Sequence, residues 1–300
     1  MLKFEVSTSK QNYFEYATKE VKTQEISQRP APGDISKNGW KKLKPYLPES
    51  KSGEGKEGRR AVDLKEVINA IMYVVKTGCS WRSMPHDLPN WSTVYGYRPA
   101  TRFNRWSKDN IWQMIHTFLV KKVRTQMGRK PAPSAACIDS QSSKTTACGG
   151  EHRGYDAGKQ IKGRKRFILT DTQGLLLAVW ICAASVSEKK GAMQLLRYIK
   201  LVPCLRTLCQ NIQLVWVDGG YRGADLLKYV QKLWNWTWQV VLRSDDQKGF
   251  KVLPRRWVVE RTFAWILNAR RLNKDYEKSR RNSQSMVYLA MIPVMINRLR

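Results

Sequence analysis

Arg166-Phe-Ile-Leu-Thr-Asp-Thr-Gln-Gly-Leu-Leu-Leu-Ala-Val-Trp-Ile-Cys182 is the stretch whose reading decides the fold. Arg166–Thr170 and Leu175–Cys182 have strand character, and Asp171-Thr-Gln-Gly174 between them has turn chemistry. Strand, turn and strand predict a β-hairpin. On either side, Ala135–Ile138, Gln213–Val217 and Trp238–Leu242 read as short strands. Lys190–Lys200, Ala224–Leu233, Arg256–Leu272 and Ser283–Leu299 carry apolar residues at helical spacing. Strand, hairpin, helix, strand, helix, strand, helix predicts a mixed α/β domain with a single sheet over residues 130–300.

Upstream the texture is helical. The Pro-rich break Lys130-Pro-Ala-Pro-Ser134 separates the sheet region from residues 36–129, and Arg29-Pro-Ala-Pro-Gly33 closes a polar segment, 1–35, expected to be a weakly ordered tail. Asp63 with Glu66 has capping-box spacing; Val67, Ala70, Ile71, Val74 and Val75 follow at helix spacing, and Gly78 is a stop. Ser92 is the expected cap of a second short helix, and Trp106–Val123 reads as a third. Three short helices with a tight middle connection fit a helix-turn-helix DNA reader, and fit an ordinary helical bundle equally well.

The 300 residues include 54 Lys+Arg against 24 Asp+Glu, a formal charge of +30. So positive a surface favours polyanionic partners, nucleic acid first and an anionic membrane second. No apolar run is long enough to span a bilayer, and the first residues lack a signal core, which predicts a soluble intracellular protein. Six cysteines form no CxxC pair and the three histidines are scattered, so free thiols are expected, several of them in the core.

Phosphoryl transfer by paired metal ions needs carboxylates that converge on one point from rigid supports. Asp139 follows the strand Ala135–Ile138, and Asp218 follows Leu214–Val217 in the same manner, with Gly219-Gly220 turning the chain away. Neighbouring parallel strands present their carboxyl ends at one edge, where ligands gather. Glu260 lies near the start of the long helix, with Arg256 and Ala264 four residues away on the same face. Each acid alone has a plainer reading: the aspartates as turn formers or caps, Glu260 as a surface partner of a nearby arginine. Asp171 is a rival in the same domain, but its setting is that of a hairpin turn.

Several segments together resemble bacterial transposases of the insertion sequence 5 family. They are Asp139-Ser-Gln-Ser-Ser-Lys-Thr-Thr, Gly154-Tyr-Asp-Ala-Gly-Lys with Lys162-Gly-Arg-Lys-Arg, Val217-Asp-Gly-Gly-Tyr-Arg-Gly, and Leu253-Pro-Arg-Arg-Trp-Val-Val-Glu-Arg-Thr-Phe-Ala-Trp. Arg270-Arg-Leu-Asn-Lys-Asp-Tyr-Glu, Trp40…Leu43…Pro45-Tyr-Leu-Pro and Thr77-Gly-Cys-Ser-Trp-Arg-Ser-Met-Pro-His-Asp-Leu-Pro extend the likeness from about residue 38 to the C-terminus. The resemblance implies a ribonuclease-H-like fold preceded by a small all-helical DNA-binding domain. It implies a DDE triad of Asp139, Asp218 and Glu260 binding two Mg²⁺ ions, with Mn²⁺ as a substitute. Arg256 matches the arginine of the signature around the family glutamate, whereas that signature's tyrosine and lysine would fall at Leu253 and Leu267. The stretch Tyr95–Trp106, with Pro99 inside it, departs from the family's usual run.

The implied activity is binding of terminal inverted repeats, cleavage at the element ends, and joining of the 3′ ends to target DNA. The expected agent is a homodimer on double-stranded DNA, off the membrane, in the cytoplasm of a bacterium and associated with its nucleoid. A DDE-type nuclease without strand transfer, or an inactive DNA-binding derivative, is the competing reading. Arg153, Lys159, Lys162, Arg164, Lys165, Arg222, Arg256 and Arg261 are the candidate DNA contacts, in segments where cations crowd and phosphates would be neutralised.

Overall fold

The computed structural model describes residues 33–48, 62–96, 102–241 and 257–299. The first helix, α1 (Lys37–Leu43), is capped by Ser36. In α2 (Leu64–Thr77) the expected chemistry holds at both ends: the Asp63 carboxylate accepts from Lys65 N, and Gly78 takes φ 76°. The next helix, α3 (Trp91–Tyr95), is capped by Asn90 rather than Ser92, whose own backbone N–H donates to the Asn90 side chain at 2.9 Å. The expected helix Trp106–Val123 is two, α4 (Arg102–Lys108) and α5 (Ile111–Gln126). Asn110, left-handed at φ 56°, breaks the helical path between them. Pro99 lies outside the described residues.

The sheet is mixed. Strand β1 (Ala135–Lys144) and the short β2 (Gly154–Asp156) both run antiparallel to β3 (Ile161–Asp171), which also pairs antiparallel with β4 (Leu176–Ala183). Helices α6 (Glu188–Leu201) and α7 (Pro203–Cys209) then carry the chain across to β5 (Leu214–Val217), parallel to β1 on its other side. One further crossover, α8 (Ala224–Trp234), leads to β6 (Thr237–Val240), parallel to β5. The single sheet of a mixed α/β domain is therefore as expected. The β3–β4 hairpin is also as expected: Asp171 Oδ1 accepts from the backbone N–H of Gln173 and of Leu175, both at 2.8 Å, and Gly174 takes φ 75°.

Two elements differ from expectation in length. The polar half of β1, Ser140–Lys144, stays extended because it ladders against Gly163–Phe167, so Asp139 sits inside the strand instead of at its end. The helix read as Arg256–Leu272 is described as α9 (Trp257–Leu267) followed by a separate 3₁₀ turn, Arg270–Leu272. The last helix, α10 (Arg280–Ile296), starts at the Ser279 cap.

Helix α10 is buried along most of its length and packs against α2, α5 and β4, so helical segment and sheet share one apolar core. It also covers the side of β4 away from β3. There Val179 donates its N–H to the Tyr288 hydroxyl and its carbonyl accepts from Gln284 Nε2, which leaves that part of the edge without a template for another strand. Arg124 of α5 forms a buried ion pair with Asp171 in the hairpin turn. Cys137, Cys182 and Cys209 are buried and form no disulfide, as composition suggested.

Candidate active site and basic surface

The parallel pairing of β1 and β5 sets Ala135 beside Leu214, Ala136 beside Val215 and Cys137 beside Trp216. Carrying that register onward sets Asp139 beside Asp218. Residues paired in register project from the same face of a sheet. Asp218 is still extended, at φ −87° and ψ −179°, and its Oδ1 accepts from Gly220 N at 2.9 Å as the chain enters a 3₁₀ turn. Asp139 Oδ1 accepts from Ser140 N at 2.7 Å.

The face carrying Asp139 can be identified from the ladder. Asp139 pairs with Ile168, Gln141 with Arg166 and Ser143 with Arg164, so all six project to one side. Arg166 donates to Leu272 O and Arg164 to Glu277 O, both in the chain that follows α9, and α9 itself packs on β1 and β3. Phe167 projects to the other side, against Gly191 of α6. Glu260 therefore rides on a helix laid over the face that bears Asp139; its own side chain is exposed. Among the described residues no group of three or more His, Cys, Asp or Glu side chains stands close enough to hold a metal ion. The two aspartates are brought together; Glu260 is placed on the same side without closing on them.

Two groups not selected from the sequence border the aspartates. Tyr221 is buried beside both acids. Burial raises this phenol well above its ordinary range, and the charges of Asp139, Asp218 and Glu188 raise it further, while a hydrogen bond with the Ser140 side chain works the other way. Glu188, first residue of α6, rests its carboxylate against Gly220. A Cβ at Gly220 would stand 2.5 Å from Glu188 Oε2 and 3.2 Å from Asp218 Oδ1. The signal in the sequence was faint: an acid just after the helix-capping Ser187, at the end of a strand connection.

The basic candidates divide by exposure. Lys159, Lys162 and Arg222 are exposed, and Arg153 is half-buried with its guanidinium folded onto Gly149. Arg164 and Lys165 are corrections. Arg164 is fully buried, paired with Asp275 at 3.1 Å and bonded to the carbonyls of Glu151, Glu277 and Lys278. Lys165 is buried against Asp156 at 3.2 Å. Burial pushes the Asp156 carboxyl up, but the Ser142 hydroxyl, the Lys165 ammonium and the Lys159 N–H outweigh it and hold the group below its ordinary value. Neither cation faces a surface that a phosphate reaches. Arg261 is half-buried between the indoles of Trp257 and Trp265, 4.5 and 4.7 Å from their centroids, and donates to Gln173 O at 2.9 Å. It braces the hairpin against α9. Arg256 lies outside the described residues.

Comparison with known proteins gives a consistent picture. Residues 130–295 match the family described as transposase DDE domain, and residues 35–116 match the putative transposase of IS4/5 family. The chain is 30% identical over 111 residues to the insertion element IS402 uncharacterized 16.2 kDa protein of Burkholderia cepacia, covering 37% of this chain and 72% of that protein. It is 32% identical over 121 residues to the putative transposase for insertion sequence element IS402 of the same organism, covering 39% of this chain and 54% of that relative. The chain thus spans about half the length of the second relative. No solved structure matches.

Proposed function

The chain belongs to the transposase DDE domain family, and from that premise we propose that it binds the terminal inverted repeats of an insertion sequence, cleaves at the element ends and joins the 3′ ends to target DNA. The observation that carries this reading is the shared register of Asp139 and Asp218 on adjacent parallel strands, under the helix that bears Glu260. The strand order β4-β3-β1-β5-β6, an antiparallel meander continued by two parallel strands, supports a ribonuclease-H-like fold.

A DDE domain implies divalent metal. The residues fit that requirement in donor chemistry, since hard carboxylate oxygens suit Mg²⁺ or Mn²⁺. Asp139, Asp218 and Glu260 would hold two such ions, which supply an activated oxygen nucleophile and stabilise the departing 3′-oxygen. The chain's own part is to fix the aspartates. The β1–β5 ladder holds their backbones in register, and Gly220 N anchors one Asp218 oxygen. Glu260 stands on α9, which packs on β1 and β3.

Residues 36–129 are the proposed end-recognition region, and Arg153, Lys159, Lys162, Arg222 and Arg256 the proposed phosphate contacts. The protein acts as a homodimer on double-stranded DNA, in the bacterial cytoplasm at the nucleoid. Mg²⁺-dependent cutting and joining of a labelled element-end duplex tests the proposal against Asp139→Asn, Asp218→Asn and Glu260→Gln. The expected result is end cleavage and strand transfer by wild type, with all three variants binding but not cutting. Cutting by any variant removes that residue from the triad; cutting without joining identifies a nuclease, and binding alone an inactive derivative.

A further inference from the structure

We propose that Arg261 and Arg298 together form a subsite for one phosphate of the DNA backbone, in the cleft where the ends of α5 and α10 meet the β3–β4 hairpin. The proposal rests on the DNA-binding reading above and deepens it with Arg298, a residue that neither the triad nor the family comparison names.

The cleft has a volume of about 790 Å³ and is lined by Gln126, Met127, Gln173, Arg261, Asn297 and Arg298. Two guanidinium groups and three carboxamides give it donors suited to a phosphate, and no carboxylate lines it. Trp265 supports both cations: the guanidinium carbons of Arg261 and Arg298 stand 4.7 and 4.5 Å from its ring centroid. Arg261 is tied to Gln173 O at 2.9 Å, and Gln126 Nε2 donates to the Arg298 carbonyl at 3.5 Å, so the walls are set before a ligand arrives.

Among the described residues neither guanidinium forms an ion pair. Burial and the charge of Arg261 both pull the Arg298 pKa down, and the charge of Asp171 opposes them. Asp171, however, is already paired with Arg124. A plainer account is that α5 and α10 present their C-terminal ends here, at Gln126 and Ile296, each equivalent to about half a negative charge. The two ends together balance one guanidinium. Asp171 balances Arg124, and one positive charge is left over, which a bound anion would neutralise.

The position favours a DNA phosphate. Met127 and Asn297 on the rim are exposed, and Arg261 directly follows Glu260 on α9. Ile168 pairs with Asp139. Gln173 lies further along the same hairpin, about 15 Å away at the rise of an extended strand. On a B-form strand that separation corresponds to about four nucleotides, so a backbone that reaches the catalytic acids also reaches the cleft.

The test uses the full chain and a labelled element-end duplex, with binding read by fluorescence anisotropy across a salt series for wild type, Arg298→Gln and Arg298→Lys. Thermal melting checks folding. Arg298→Gln is expected to bind about tenfold more weakly at low salt and to lose about one unit of salt slope. It should melt no lower than wild type, because no acid is left stranded. Arg298→Lys should keep the slope. Replacing duplex phosphates one at a time by neutral methylphosphonates should reveal a position whose cost in wild type disappears in Arg298→Gln. Wild-type binding by Arg298→Gln overturns the subsite and leaves end binding standing. A weaker Arg298→Gln in which every methylphosphonate costs the same as in wild type overturns it too. Inorganic phosphate that raises the melting temperature of wild type but not of Arg298→Gln, with equal DNA affinity in both, assigns the cleft to a free anion and overturns the DNA contact. Wild type that binds unrelated duplex equally well refutes end recognition instead, and the salt-slope comparison then decides the subsite on that DNA. Should Arg298→Gln fail to fold, Asn297→Asp, which sets a carboxylate on the exposed rim, is expected to weaken binding in its place, and unchanged binding overturns the subsite.

Discussion

Arg124 and Asp171 form an ion pair shut off from solvent, one at the end of a helix from the N-terminal half and the other in the tip of the β3–β4 hairpin. Asp171 also receives two backbone N–H groups of its own turn. Removing the guanidinium leaves a buried carboxylate without its counter-charge, a loss of about 3–5 kcal/mol. Arg124→Met should therefore lower the urea midpoint sharply, and Asp171→Asn on that background should recover part of the loss. An unchanged midpoint in Arg124→Met would mean that the pair is dispensable.

His116 lies fully buried against Tyr288, with neither ring nitrogen bonded among the described residues, and burial pulls its pKa down to about 3. The folded chain keeps it neutral while the unfolded chain protonates it near its ordinary value. Between those two values stability falls as the pH falls, by about 1.4 kcal/mol per unit. Going from pH 7 to pH 5 should cost about 2 kcal/mol through this group. Denaturation curves of wild type and His116→Phe at both pH values test this. The slope attributable to His116 should vanish in the variant, and equal slopes would refute the assignment.

Lys162 and Arg164 stand two residues apart on β3 with the same charge and opposite settings. Lys162→Ala should leave thermal stability within about 0.5 kcal/mol while weakening DNA binding and reducing its salt slope by about one. Arg164→Ala should instead destabilise the fold by about 3 kcal/mol or more, because it strands the Asp275 carboxylate in the interior. Melting curves alongside salt-dependent binding separate the two. A stable, weak-binding Arg164→Ala would restore that residue to the DNA-contact set.

Gly191 gives α6 its close seat on the sheet. A Cβ there would fall 2.0 Å from Phe167 Cζ, so the aromatic ring would have to move. In an exposed helix Gly→Ala stabilises by about 1 kcal/mol. Here Gly191→Ala should destabilise by about 1–3 kcal/mol through overpacking, and Phe167→Leu should relieve it. Additive costs for the two changes in a double-mutant cycle would show that the contact carries no energy.

How much of this was legible beforehand depends on how local the physics is. The Asp171 turn, the Asp63 cap and the Gly78 stop are settled by a residue and its immediate neighbours, and the sequence displays them openly. The break at Asn110 turns on which polar residue adopts a left-handed backbone, and the cap at Asn90 on which of two polar residues near the helix start accepts its free N–H; composition does not rank such near-equals. The length of β1 was hidden because Ser140–Lys144 is polar; its extension comes from the β3 ladder, a partner remote in sequence. Runs of basic residues on β3 reveal charge but not facing, so Arg164 and Lys165 read as surface until Asp275 and Asp156 appear beside them. Glu188 was missed for a similar reason: its relation to Asp218 exists only once α6 and β5 are folded back on one another.

Helix α10 has a temporal consequence. It supplies much of the apolar surface on which α2 and α5 rest, so those earlier segments leave the ribosome long before their packing partner is made. At roughly 5–20 residues per second, the delay is on the order of ten seconds or more. Throughout it, side chains such as Ile71 and Leu119, fully buried in the finished molecule, lack the helix that completes their packing. The proposed end-recognition segment therefore completes its packing only once the rest of the chain has been made, and a nascent chain halted before Arg280 would be a client for chaperones and proteases.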